Sequence, residues 1–384
     1  MRSSKAFYFF FFGAASCLLP FLTLHYQRLG LNGREIGMLS GIVPLITLVS
    51  ASAWGAVADA TRKHHLILLI ALVGTWTAVL GMSQATTFWA LIPLVSIYAF
   101  FVAPTIPLVD NSVMAQLDER KSEYGRVRVW GSYGWGIVAA MIGVVIERSG
   151  LRWAFGGYLM LMAVLILMSI RLPVKSVSLG ETFGNGLRQL MSNKQFVLFM
   201  AVALIEGMSL SIFLNYLFLH LEAMGSSNVI MGLSLTVATI SEIPIFLYSK
   251  QLLDRWGAKA LLALSMAATV VRAVALVGMT EPWQVLPISL LHGPTFAAMW
   301  SAGVAYADQA APRGLGATAQ GLFSGLVMGL GVALGAFVGG FLYEGYGAVM
   351  AFKFSGGAAL LALLIFAWAN RKSVKRPFRS APTD

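Results

Sequence analysis

Gly55-Ala-Val-Ala-Asp59-Ala-Thr-Arg62-Lys63 closes one long apolar window, and Lys250-Gln-Leu-Leu-Asp254-Arg255-Trp-Gly257-Ala-Lys259 closes another in the second half of the chain. Each stretch sets an acid just ahead of bases, between two apolar segments long enough to cross a bilayer. Apolar helix, charged turn and apolar helix in succession describe a polytopic membrane protein. The recurrence of the same punctuation is the weak internal symmetry expected of a duplicated helix bundle. The alternative is that both are ordinary inner loops obeying the charge rule alone.

Composition agrees with this reading. Hydrophobic residues make up 58% of the 384, charged residues 11%, and the mean hydropathy is +0.77, outside the range of water-soluble folds. A hydrocarbon core of about 30 Å needs roughly 20 apolar residues per helix, so the chain has room for about twelve spans and little else. Apolar windows place them near 6–27, 34–58, 65–84, 87–113, 124–147 and 151–171, then 196–221, 228–251, 259–279, 283–306, 315–342 and 348–370. The fold class is therefore all-α integral membrane: twelve transmembrane helices in two pseudo-symmetric six-helix bundles. Residues 1–172 form the first bundle, 173–194 a polar cytoplasmic linker, and 195–384 the second bundle with a short basic tail. The aromatic run Phe7 to Phe12 opens the first span with no cleavage signature, so it reads as a retained helix.

Lys and Arg crowd the loops on one side. Arg62, Lys63, Arg120, Lys121, Lys250, Arg255 and the basic tail fall on the side of the termini, whereas only Arg28, Arg34, Arg148 and Arg152 fall opposite. By the positive-inside rule both termini are cytoplasmic, in a cell (inner or plasma) membrane. The formal charge of +11 sits in these loops and sets orientation, so nucleic acid is not an expected partner. Cys17 is the single cysteine, which excludes intrachain disulfides and thiolate metal clusters. His64 and His65 lack spaced partners and read as solvated loop residues, so no metal site is expected. With no phosphate-binding glycine loop, no nucleotide or other cofactor is implied, and an ion gradient is the expected energy source.

Charges inside spans are costly and need partners. Asp110, near the end of span four, and Arg128, near the start of span five, come to similar depths on consecutive antiparallel helices and can pair. Such a pair either exchanges partners with a solute or is a permanent bridge between helices. Trp135 lies two turns beyond Arg128 on the same face and offers a ring for stacking. Glu206, Glu242, Arg272 and His292 each fall near the middle of a span in the second half. Two acids, a guanidinium and an imidazole at one depth suffice for a proton relay, or for a satisfied polar cluster that holds helices together. Gly325, Gly329, Gly331, Gly335 and Gly339 read as close-packing positions in span eleven, and Pro20, Pro44, Pro104, Pro107, Pro244 and Pro294 as kinks.

Gly55, Asp59, Arg62 and Lys63 resemble the signature loop of the major facilitator superfamily, and the twelve-span layout with a central linker fits that fold over nearly the whole chain. The run from Glu123 through Arg128 to Trp135, together with Pro107-Leu-Val-Asp110, Ser241-Glu242, Arg272 and Leu291-His292-Gly-Pro-Thr295, resembles the lactose permease and 3-phenylpropionate permease group of proton symporters. That resemblance implies substrate binding at Asp110, Arg128 and Trp135. It implies proton coupling at Glu242, Arg272 and His292, with Glu206 as a further acid, and gating at the Gly55 to Lys63 loop. Thr295 stands where the lactose carrier has an acid, and Ser289 where it has a lysine, so a coupled proton must use Glu242, Glu206 or Asp110. The 3-phenylpropionate type shares the threonine, whereas Trp135 resembles the sugar carriers.

The expected protein is thus a transporter and not an enzyme: a monomeric carrier that moves a small ring-containing solute together with protons through a lipid-embedded bundle by alternating access. Proton-antiport efflux and non-transporting solute sensing on the same fold are the competing readings.

Overall fold

The computed structural model describes residues 2–117, 123–170, 190–312 and 315–370. Most of the expected linker, 173–189, and the basic tail lie outside the described residues. The first six helices are α1 (Arg2–Arg28), α2 (Gly33–Thr61), α3 (His64–Met82), α4 (Phe88–Leu117), α5 (Tyr124–Ser149) and α6 (Arg152–Ser169). They are followed by α7 (Lys194–Ala223), α8 (Asn228–Leu247), α9 (Ser249–Val277), α10, α11 (Thr318–Tyr346) and α12 (Ala348–Asn370). α10 is assembled from Val285–Ser289, a π-helical turn Gly293–Ala297, and Ala298–Ala310. Among the described residues eleven helices are long and apolar enough to cross a membrane. The twelfth expected span is α10, present as these shorter pieces because Pro287 and Pro294 supply no backbone N–H and the ladder widens around them.

Prolines mark other breaks. Pro104 falls in the interruption of α4 between Val102 and Thr105, and Pro244 lies one turn before α8 ends at Leu247. α9 begins with a short charged segment, and Gly257, at φ 76°, turns it into the apolar span. Arg62 occupies the matching place after α2 with φ 54°, the only non-glycine residue of positive φ among those described. Arg62 and Gly257 are 195 residues apart, as are Asp59 and Asp254, His25 and His220, and the positive-φ glycines Gly30 and Gly225. Asn32 and Ser227, at the same offset, each cap the next helix through a side-chain oxygen. His25 packs on Phe155 and His220 on Phe352, with ring centroids 4.7 and 5.4 Å apart. One local geometry has been built twice.

The glycines of α11 serve packing. A Cβ at Gly335 would strike the backbone of α7 at Met208, and one at Gly339 would strike the Tyr216 ring, so glycine here lets the two helices approach closely. His64 departs from the solvated reading. It starts α3, is buried, and places Nε2 3.3 Å from Asp59 Oδ1. His65 Nε2 donates to the Ser169 carbonyl at 2.8 Å. The cause is the tightness of the turn: only Arg62 and Lys63 separate α2 from α3, so the first turn of α3 tucks under the last turn of α2 and against α6.

The first six helices meet the last six at several polar contacts. Arg28 Nη2 is 2.9 Å from Glu222 Oε1, and Arg34 donates to Glu344 through backbone N at 3.0 Å and Nε at 3.3 Å. Glu147 Oε2 accepts from both backbone N and Nδ2 of Asn228, at 2.7 and 2.9 Å. α5 and α8 touch backbone to backbone at Gly143 and Gly232, and Thr236 donates to the Gly136 carbonyl at 2.6 Å. Except for the last, at mid-span, these ties lie toward the face opposite the chain termini.

Candidate functional site

Two polar clusters stand inside the bundle. The first joins α1, α4 and α5. Tyr8 donates its hydroxyl to Asp110 Oδ1, while the Arg128 guanidinium lies over the rings of Phe12, at 4.2 Å, and Tyr8, at 5.2 Å. Asp110 and Arg128 therefore share a cluster but form no direct ion pair, contrary to the simplest reading of their depths. Tyr8 is the reason: its hydroxyl satisfies the acid while its ring face receives the cation. Gly131 makes the arrangement fit, since a Cβ there would press on Arg128 Nη1 and Phe12. Trp135 is half-buried one turn beyond Gly131.

Sequence spacing alone missed Tyr8 and Phe12. Both lie in the aromatic run of α1, and nothing in that run singles out the two rings that face α5. Tyr8→Phe keeps the ring and removes the donor, leaving Asp110 short of one hydrogen bond. An unsatisfied buried acceptor costs about 1–3 kcal/mol, so the apparent Tm is expected to fall, and solute affinity with it, the latter roughly 10-fold in equilibrium binding. An unchanged affinity would remove Tyr8 from the site.

The second cluster spans α7 to α10. Gly293 N donates to Ser241 Oγ at 2.9 Å, and a Cβ at Gly293 would collide with the Ser241 backbone. This clamp of α10 on α8 sets the next residues side by side: His292 Nε2 is 2.8 Å from Glu242 Oε1. Arg272 on α9 reaches His292 Nδ1 at 2.9 Å and Thr295 Oγ1 at 3.3 Å through Nη1. A guanidinium only donates, so Nδ1 accepts and Nε2 carries the proton given to Glu242. Donation thus runs in one direction, from Arg272 through His292 to Glu242.

The imidazole stacks on Phe296, with centroids 5.5 Å apart and planes at 11°, and Arg272 lies over Phe213 at 4.7 Å. Glu206 is buried on α7 and accepts from Thr269, one turn before Arg272, at 2.9 Å. All four ionisable residues expected at mid-depth in the second half are therefore gathered in one place. Lys353, a further charge within an apolar window (348–370), stands apart from this cluster and lies exposed on α12. Of the signature loop, Asp59 lies in the last turn of α2 beside His64, while Arg62 and Lys63 are exposed.

The profile of the MFS_1 like family matches residues 1–354. The chain belongs to that family. It is a multi-pass membrane transporter of the major facilitator class, and not an enzyme. It is similar to the maltose permease of Geobacillus stearothermophilus, 27% identical over 373 residues that cover 95% of this chain and 94% of the relative. A probable 3-phenylpropionic acid transporter of Escherichia coli (strain K12) is 26% identical over 308 residues, covering 78% and 80%. Among solved structures, the nucleoside transporter NupG superposes with a TM-score of 0.85 at 19% identity, over 96% of this chain and 98% of that one. Its likeness shows the fold.

Proposed function

We propose that this major facilitator transporter is a proton symporter for a small ring-containing organic solute, such as an aromatic carboxylate, a sugar or a nucleoside. The observation that carries the reading is the continuous donor chain from Arg272 through His292 to Glu242 inside the bundle. Charged and polar groups in the membrane interior are expensive to hold, and a relay that exchanges protons with the two sides is the use that fits them. The Asp110, Tyr8 and Arg128 cluster, with Trp135 further along α5, supplies what a ring-bearing solute needs: charge, hydroxyl and flat aromatic surface. A maltose permease, a probable 3-phenylpropionic acid transporter and a putative nucleoside transporter, YegT of Escherichia coli (strain K12), among the relatives support this class.

The carrier works by alternating access. The ties Arg28–Glu222, Arg34–Glu344 and Glu147–Asn228 hold the bundle shut at the face opposite the termini, and their release lets the two six-helix sets rock about the central site. The Gly55 to Lys63 loop gates the other face. The working unit is a monomer in the cell membrane with both termini cytoplasmic, driven by the proton gradient with no metal, cofactor or nucleic acid. Efflux by proton antiport is the second reading, favoured by 26% identity to the multidrug resistance protein MdtG of Serratia proteamaculans over 301 residues.

Counterflow in liposomes, which needs no gradient, tests the solute class. Labelled 3-phenylpropionate, a disaccharide and a nucleoside are each offered to liposomes preloaded with the unlabelled compound. One class is expected to exchange in the parent chain and to fall to background in Arg128→Ala. Equal exchange by the variant would remove Arg128 from the binding site, and exchange of drug-like cations instead would favour the efflux reading.

A further inference from the structure

Behind the Arg272 to Glu242 chain lies a small space lined by Glu206, Ser209, Phe213, Thr269, Arg272 and Thr295. Its volume is about 10 Å³, close to what one water requires. Three polar atoms of its lining have no protein partner: Glu206 Oε1, Ser209 Oγ and Arg272 Nε. They belong to side chains of residues only 3%, 2% and 5% exposed, so bulk solvent does not serve them. Orphaned buried polar groups are costly and are normally satisfied by ordered water.

We propose that this space is a binding site for a single water, held between Arg272 Nε, Glu206 Oε1 and Ser209 Oγ, and that Glu206 is the group that loads and releases the coupled proton through it. The donor set fits water. Arg272 Nε–H donates to the water oxygen, the water donates to Glu206 Oε1, and the Ser209 hydroxyl takes either role. A metal cation does not fit, because a guanidinium N–H points into the space.

The remainder of the cluster explains why the proton goes to Glu206. His292 Nδ1 is occupied by Arg272 and its Nε2 proton by Glu242, so a second proton on His292 must break the Arg272 bond. Glu206 Oε2 is held by Thr269, and Oε1 alone faces the space with lone pairs unused. When Glu206 is charged, Arg272 compensates it through the water; when a proton arrives, that hold weakens and Arg272 is left to His292 and Glu242. The water takes up a proton from the aqueous side that the carrier faces and hands one on to Glu206 Oε1, so it is unchanged overall and no other reactant is consumed. The ionisable groups around Glu206 are Arg272 on α9, with His292 on α10 and Glu242 on α8 beyond it; of the elements packed on α7, the π-helical turn Gly325–Gly331 brings none, Lys353 on α12 is exposed, and Glu344 on α11 is paired with Arg34.

This inference rests on the proton-coupling reading, and one preparation separates the two. The full chain in liposomes is followed by infrared spectroscopy as the pH is stepped. The expected result is a carboxylic C=O band that grows as the pH falls, is lost in Glu206→Gln and is kept in Glu242→Gln. Confined-water O–H bands that move on exchange into H2 18O are expected as well, and are lost in Glu206→Gln and in Ser209→Val, which fills the space. A titrating band that survives Glu206→Gln and disappears in Glu242→Gln overturns the assignment. Water bands unchanged in both Glu206→Gln and Ser209→Val overturn the site. Bands as expected with no proton uptake on addition of solute reject coupling and uphold the water site.

Discussion

Arg272→Ala is expected to reduce gradient-driven accumulation of solute to the level of empty liposomes and to lower the apparent Tm in detergent. The guanidinium is the one cation of the α7 to α10 cluster, buried to 5% exposure, and its bonds reach His292 Nδ1 and Thr295 Oγ1. Its removal leaves a buried imidazole nitrogen without its donor and Glu206 and Glu242 without their neighbouring positive charge. Breaking a buried charged network by deleting one partner costs about 3–5 kcal/mol, a large share of the margin of about 5–15 kcal/mol that most folds possess. Arg272→Lys keeps the charge but offers a compact ammonium in place of a planar fork, so it should rescue the Tm more fully than the transport. Transport retained in Arg272→Ala would show the cluster to be packing alone.

A leucine at Gly232 should stop transport by a different route. α8 lies against α5 so closely that any side chain at Gly232 strikes the backbone around Ala139 and Gly143. The bundle must then part between α5 and α8, where Thr236 and Asn228 now bond to Gly136 and Glu147. Packed helix contacts are bistable, so the expected outcome is a shift of population toward a state open at the face opposite the termini. Counterflow falls to background while solute binding persists. Cys17 is buried, and in a Cys17→Ser background a cysteine at Thr236 reports the gap. Its alkylation should quicken by about 10-fold for each 1.4 kcal/mol of shift. Unchanged labelling with normal transport would show that α5 and α8 never need to separate.

Much of this architecture is legible in the residues. Apolar windows gave most helix limits to within a few positions, because short connections such as Arg62–Lys63 leave little freedom for the ends. α9 departs from its window: it starts at Ser249, ten residues before the expected 259, because the charged stretch read as a loop is itself helical up to the kink at Gly257. The tenth span departs as well. Its window, 283–306, is continuous in hydropathy, yet Pro287 and Pro294 break the ladder, and that break is what turns His292 toward Glu242. Depth arithmetic brought Glu206, Glu242, Arg272 and His292 to one level, and the structure joins them. The same arithmetic set Asp110 beside Arg128 but carried no information on a third helix, so Tyr8 was invisible to it. His64 was misread for a related reason: a loop residue is taken as solvated until the tightness of its turn is known. Local spacing constrains neighbours along one helix or across one turn. Contacts between α1 and α5, or between α3 and α6, are set by packing of the entire bundle.

A proton symporter moves its solute only together with protons. Uptake of the exchanging solute into liposomes is therefore measured under an imposed pH gradient, acidic on the side from which solute is taken, with and without a protonophore. Transient accumulation above the outside concentration, abolished by the protonophore and by Arg272→Ala, is the result expected of a proton symporter. Equilibration to the same level with and without the gradient would contradict it.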